Sequence, residues 1–200
     1  MVYCNFLTLN ATLQAEPTVL AFAGSLRKDS CNKKLINQAA SIARELGAQV
    51  IQIDLKDFPI PLYDGDLEEA EGMPENAKYI RQLMINSQVI FIASPDYNHS
   101  VSAVLKNVLD WTSRSENAER SREAFQGKKF AIMSASPSKS GGAKGLSHLR
   151  DILLDQKAIV LERQISIPYA YEAFDEQGGL KDLNLKSDLY LLIEEALKTE

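Results

Sequence analysis

The sequence predicts an α/β protein of three layers, a doubly wound five-stranded parallel sheet with helices on both faces. Three observations carry that expectation. Residues 19–23 (VLAFA) and 89–93 (VIFIA) are short, unbroken apolar runs, the pattern of strands buried on both faces. Strand-like and helix-like stretches alternate five times along the chain, which is how parallel sheets with crossover helices are written. With 200 residues and 45% hydrophobic content, a single domain over 17–200 can bury a sizeable core.

Taken in order, residues 19–23 stop at Gly24-Ser25, and a polar stretch leads into a helical spacing of Leu35, Ile36, Ala39, Ala40, Ala43 and Leu46. Residues 49–54 alternate and are β-branched, so they form the second strand. A long connection, 55–73, carries Pro59, Pro61 and an acidic run; connections of that length in compact domains are usually functional or disordered. Pro74 introduces a helix over 76–86, and the third strand, 89–93, ends in the loop Ser94 to Ser100. A helix over 102–113 follows, then a charged surface excursion at 115–127 and a fourth strand at 129–133. The small-residue loop 134–145 precedes a helix at 146–154. The last strand spans 158–167, stopped by Pro168, which cannot donate to a ladder. Residues 183–197 close the chain as an amphipathic helix.

Composition narrows the function classes. A net charge of -5 and no basic stripe argue against a nucleic-acid partner. Cys4 and Cys31 offer neither a disulfide framework nor metal-ligand spacing, so no metal is expected and a reducing, cytoplasmic setting fits. No apolar run approaches the ~20 residues of a membrane helix. Residues 1–16 lack Lys and Arg, a poor signal peptide, and are expected to be an N-terminal extension.

Right-handed crossovers and five strands suit the order 2-1-3-4-5, the flavodoxin-like arrangement, in which ligands bind beyond the carboxyl ends of strands one and three. The loops after strands one, three and four therefore converge. The first pairs Ser25, Arg27, Ser30 and Asn32 with a helix N-terminus, where unpaired N–H groups and the dipole favour an anion. The same residues also suit a plain helix cap with Arg27 in solvent, and that loop alone does not choose between the two. The second loop offers the fixed φ of Pro95, the ring of Tyr97 and the amide of Asn98; the third offers Gly141-Gly142, whose backbone can approach a ligand closely. A phosphate, a linker and a planar heterocycle with polar edges would satisfy all three, as in flavin mononucleotide, FMN.

Four motifs carry a family resemblance. Residues 24–32, G-S-L-R-K-D-S-C-N, match G-S-x-R-x-x-S-x-N. Residues 95–100, P-D-Y-N-H-S, and 105–111, L-K-N-V-L-D-W, resemble P-E-Y-N-x-S and L-K-N-x-x-D-W. Residues 58–64, F-P-I-P-L-Y-D, are similar to L-P-L-Y-D. In their chain order, 24–32, 58–64, 95–100 and 105–111, they resemble the NADPH-dependent FMN reductase family. The resemblance implies hydride transfer from NADPH or NADH to FMN, then electron delivery to quinones, free flavin, azo compounds or metal oxyanions. It assigns Ser25, Arg27, Ser30 and Asn32 to the FMN phosphate, and Pro95, Asp96, Tyr97 and Asn98 to the isoalloxazine and ribityl chain. Ser136, Gly141 and Gly142 correspond to the third flavin loop, and Tyr63 is expected to flank the substrate. Asp96 stands where the family has Glu, and Ser138-Lys139-Ser140 sits where a Gly is usual. The resemblance also implies a homodimer or homotetramer.

No catalytic side chain is expected, since the cofactor carries the chemistry. Lys139 or Arg114 could meet the extra phosphate of NADPH. Two other readings share the sheet order. An electron carrier of flavodoxin type usually has a more acidic flavin face and needs no Arg on the phosphate. A phosphoacceptor domain needs an acidic cluster after strands one and three, where Ala23-Gly24-Ser25 offers none.

Overall fold

A computed structural model describes residues 16–198, so all but the last residue of the expected N-terminal extension lies outside the described residues. The elements run β1 (Thr18–Ala23), α1 (Cys31–Glu45), β2 (Gln49–Asp54), α2 (Gly65–Glu71), α3 (Glu75–Asn86), β3 (Val89–Ala93), α4 (Ala103–Thr112) and β4 (Lys129–Ala135). They continue with α5 (Ala143–Asp155), β5 (Ile159–Val160), β6 (Ile165–Ile167), α6 (Ala170–Ala173) and α7 (Leu183–Leu197). The sheet order is β2-β1-β3-β4-β5, every pairing parallel, with β6 also on β4.

The two-residue period of the strands sorts the core into two faces. Val19, Ala21, Ala23 and Phe91 face α1 and α7, where they meet Leu35, Ala39, Ala43, Leu189 and Leu192. Leu20, Phe22, Ile90 and Ile92 face α3, α4 and α5, meeting Ile80, Met84, Leu105, Val108 and Leu149. Gly24 lets α4 come close beneath β1, for a Cβ there would sit 2.9 Å from that of Leu105. The Ser102 hydroxyl, capping α4, donates to the Gly24 carbonyl at 2.6 Å.

Four elements differ from expectation. The last strand is broken in two. Lys129 pairs with Ile159, an offset of 30, but Met133 pairs with Ile165, an offset of 32, so two extra residues are looped out between β5 and β6. Arg150 of α5 donates to the carbonyls of Val160, Leu161 and Glu162, satisfying backbone that the break takes out of the ladder. The long connection is partly ordered as α2, capped by the Asp64 carboxylate on the Asp66 N–H at 2.9 Å. Both site-bearing helices begin earlier than their apolar periodicity suggested, α1 at Cys31 and α5 at Ala143, because polar and small residues fill their first turns.

Candidate functional site

At the carboxyl ends of β1, β3 and β4 a crevice opens. One wall is Arg27, Ser30, Cys31 and Asn32 from the loop after β1 and the first turn of α1; a second is Pro95, Asp96 and Tyr97. Ala135, Ser136 and Pro137 form a third, and Tyr171 of α6 closes the fourth side. Strand order places the first three loops together, and the sequence anticipated them. Tyr171 it did not. The signal was available: Pro168 ends β6 at the same edge of the sheet, so the chain beyond it had to enter the region where ligands bind in this fold.

Each wall has a local cause. Ser30, extended at φ -75°, accepts the Asn32 N–H at 3.2 Å and starts α1, turning the helix N-terminus and its dipole into the crevice. Ser25 lies buried beneath, its Oγ accepting the Arg27 N–H at 3.3 Å, so it shapes the loop from below. Asn32 is buried and bonds Ala135 twice. Its Nδ2 donates to the carbonyl at 2.9 Å, and its Oδ1 accepts the N–H at 2.9 Å. Its amide thus joins α1 to the end of β4, and only the second Nδ2 proton remains for another acceptor.

In the loop after β3, Asn98 (φ 53°) and His99 (φ 64°) both take left-handed backbone, while Tyr97 and Ser100 exchange N–H to carbonyl bonds at 3.0 and 3.1 Å. That is a two-residue turn of type I′, which Asn tolerates well. It leaves Tyr97, Asn98 and His99 exposed at the mouth. Asp96 accepts the Gly145 N–H at 3.2 Å, serving as a cap for α5 from outside the helix. The helix's own N-cap, Gly142, has no side chain to do so. Gly142 sits at φ +91°, and a Cβ there would lie 2.1 Å from the Ser134 Oγ; one on Gly141 (φ +60°) would meet the backbone of Ser166 and Ile167 at 2.8 Å. The two glycines let the loop turn tightly against β4 and β6 without themselves lining the crevice. Ser136, Ser138 and Ser140 chain their hydroxyls at 3.1 Å.

The donor set suits an anion joined to a flat polar ring. Arg27 is the one cation among the described residues lining the crevice, its charge beside a helix N-terminus and the Ser30 hydroxyl. The Tyr171 side chain across the crevice, and Tyr97 after it, hold the Arg27 guanidinium above its usual range. The residues present therefore fit the phosphate of FMN on the α1 side.

Tyr63 is not brought to this crevice. Its N–H donates to Asn107 Oδ1 at 2.8 Å and its hydroxyl to Glu68 at 3.0 Å, with the ring edge-on to Trp111 at 5.0 Å. Burial, then the bond to Glu68, raise its phenol above the ordinary value. Asn107 and Trp111 also donate to the Pro61 carbonyl, each at 2.9 Å, so the L-K-N-V-L-D-W segment serves to pin the 58–64 connection to α4. Arg114, a candidate for a second phosphate, is committed to the buried Glu68 at 2.8 Å and to the Ala118 carbonyl. Among the described residues no cluster of three or more His, Cys, Asp or Glu is placed to hold a metal, and no helix is long and apolar enough to cross a membrane.

Comparison with known proteins agrees with this architecture. A probable NADPH:quinone oxidoreductase of Oryza sativa subsp. japonica is 35% identical over 86% of this chain and 82% of its own length. An NAD(P)H-dependent FMN reductase of Pseudomonas aeruginosa is 34% identical over 82% of this chain and 84% of its own. Among solved structures, a flavoenzyme NAD(P)H:(acceptor) oxidoreductase from Paracoccus denitrificans superposes with a TM-score of 0.75 at 25% identity, over 90% of this chain and 95% of the other. The family model described as NADPH-dependent FMN reductase matches residues 17–172, which take in β1 to α6 and every wall of the crevice, and the chain belongs to that family.

Proposed function

We propose that this protein is an FMN-dependent oxidoreductase that takes hydride from NADPH or NADH and passes electrons to a small acceptor, a quinone or free flavin in the first instance. The observation that carries the reading is the convergence of Arg27, Ser30 and the α1 N-terminus with the Pro95–Asp96–Tyr97 segment and Ser136 on one crevice. Family membership and the names of the relatives support it. FMN when bound supplies the hydride-accepting and electron-donating chemistry.

The chain's own residues bind and orient. Arg27 and the first turn of α1 hold the phosphate, and Ser30 offers its hydroxyl to it. Asn32 and Ser25 fix that loop from beneath. The turn at Asn98-His99 presents backbone groups and the Tyr97 ring to the heterocycle, and Asp96 keeps this loop in register with α5. Positioning the hydride donor against the bound flavin would then be the protein's main contribution to rate. Azo compounds and metal oxyanions are further acceptors of the same chemistry. The reading extends to a cytoplasmic homodimer or homotetramer, with Leu26 and Leu62, 49% and 75% exposed, among the apolar side chains a second copy would cover. Steady-state oxidation of NADPH and NADH by the FMN-loaded protein, with a benzoquinone, free riboflavin, an azo dye and chromate in turn, tests it. Turnover with the quinone or riboflavin is expected; turnover with none of the four contradicts the reading.

A further inference from the structure

The fourth wall of the crevice is the turn that follows β6, which carries Tyr171. After β6, Pro168 prevents the ladder from continuing and Tyr169 adopts left-handed backbone at φ 47°. The turn that follows is fastened on two sides. Ala170 donates its N–H to the Ser136 carbonyl at 3.1 Å, and the Cys31 thiol donates to the Ala170 carbonyl at 3.5 Å. Tyr171 therefore stands in a fixed place between the first turn of α1 and the loop after β4. It remains 66% exposed, so packing into the core does not account for its position.

A count of donors says what that position is for. A phosphate monoester carries about -1.5 to -2 charge on three strongly accepting oxygens. Arg27 is the one cation among the described residues of the lining, the Ser30 hydroxyl is one neutral donor beside it, and the Asn32 amide keeps only one Nδ2 proton beyond its bonds to Ala135. A further neutral donor beside Arg27 would complete the set, and a phenol hydroxyl is such a donor. We propose that Tyr171 is a further residue of the anion site, its hydroxyl donating to the phosphate that Arg27 and the start of α1 hold. The proposal rests on the reading of this crevice as an FMN site. The effect of Tyr171 on Arg27 accords with the two side chains facing one another across that wall.

The test compares dissociation constants for FMN and for riboflavin, which lacks the phosphate, by quenching of flavin fluorescence in wild type, Tyr171→Phe and Tyr171→Ala. Losing a charge-assisted hydrogen bond is expected to weaken FMN binding about tenfold in Tyr171→Phe and leave riboflavin unchanged. Tyr171→Ala should lose at least as much for FMN, and thermal melts should confirm that both variants fold, as exposure of the side chain predicts. If wild type prefers FMN to riboflavin and Tyr171→Phe binds FMN as tightly as wild type, the Tyr171 proposal alone is overturned. Equal loss for both ligands overturns it too, placing Tyr171 against the ring. Wild type that fails to bind FMN, or does not distinguish it from riboflavin, removes the phosphate site and this proposal together.

Discussion

Asn32→Ala separates two uses of one amide. As a phosphate ligand, Asn32 would be missed in flavin affinity while the fold stood. The structure places it 3% exposed, with both amide ends bonded to the backbone of Ala135 at 2.9 Å. Truncation removes two hydrogen bonds and leaves the Ala135 N–H and carbonyl without these partners at the buried base of the crevice. A net bond is worth about 1 kcal/mol, and an orphaned buried group costs about 1–3 kcal/mol, so a loss of about 2–4 kcal/mol is expected after partial relaxation. For a domain of this size that is a fall in Tm on the order of 10 °C. Urea unfolding followed by circular dichroism, without added flavin, reads it directly. A variant within about 0.5 kcal/mol of wild type, the scatter of ordinary surface substitutions, would refute the assignment of Asn32 as the joint between α1 and β4.

Gly142→Ala forces φ +91° on a residue with a side chain and drives its Cβ to 2.1 Å from the Ser134 Oγ, so a loss of about 3 kcal/mol is expected. Adding Ser134→Ala should recover part of it; no recovery would mean the cost is backbone strain alone. Burial pushes the Asp54 carboxyl up, but the Lys33 ammonium at 2.5 Å and the Lys56 N–H at 3.0 Å outweigh it and hold the group below its usual value. A depressed carboxyl stabilises the fold above its unfolded pKa, near 4, and that contribution is lost as pH falls through the folded value. The stability gap between wild type and Lys33→Met, from urea midpoints, should thus hold steady from pH 7 to 5 and narrow below about pH 4; a pH-independent gap would rule out this origin. Cys31 lines the crevice, so a thiol reagent should label the apoprotein faster than the FMN-loaded protein, whereas equal rates would place the flavin elsewhere.

What could be read from residue types alone was the frame. Runs such as VIFIA leave little but a strand buried on both faces, and crossover handedness then restricts the order and brings three loops together. What escaped reading depends on partners distant in sequence. Nothing in residues 158–167 announces a break, because the backbone it frees is satisfied by Arg150, a residue of the preceding helix. Asp96 lines the crevice and also accepts from Gly145, a glycine placed by its neighbours in a loop and by the fold in a helix. Asn32 has donor and acceptor enough for a phosphate or for a backbone, and only the position of Ala135 decides how that amide is used. Tyr63 sits in a motif resembling the family's, but Glu68, itself in a stretch too acidic to suggest burial, takes its hydroxyl.

An absorption spectrum of the purified protein loaded with FMN, followed by anaerobic addition of NADPH or NADH, shows whether the bound flavin accepts hydride from either nucleotide. A yellow protein is expected, whose flavin absorbance bleaches rapidly with either nucleotide and returns on addition of a quinone. A yellow protein that neither nucleotide bleaches would be an electron carrier and would contradict the proposed activity. A colourless protein that takes up no FMN would contradict the site itself.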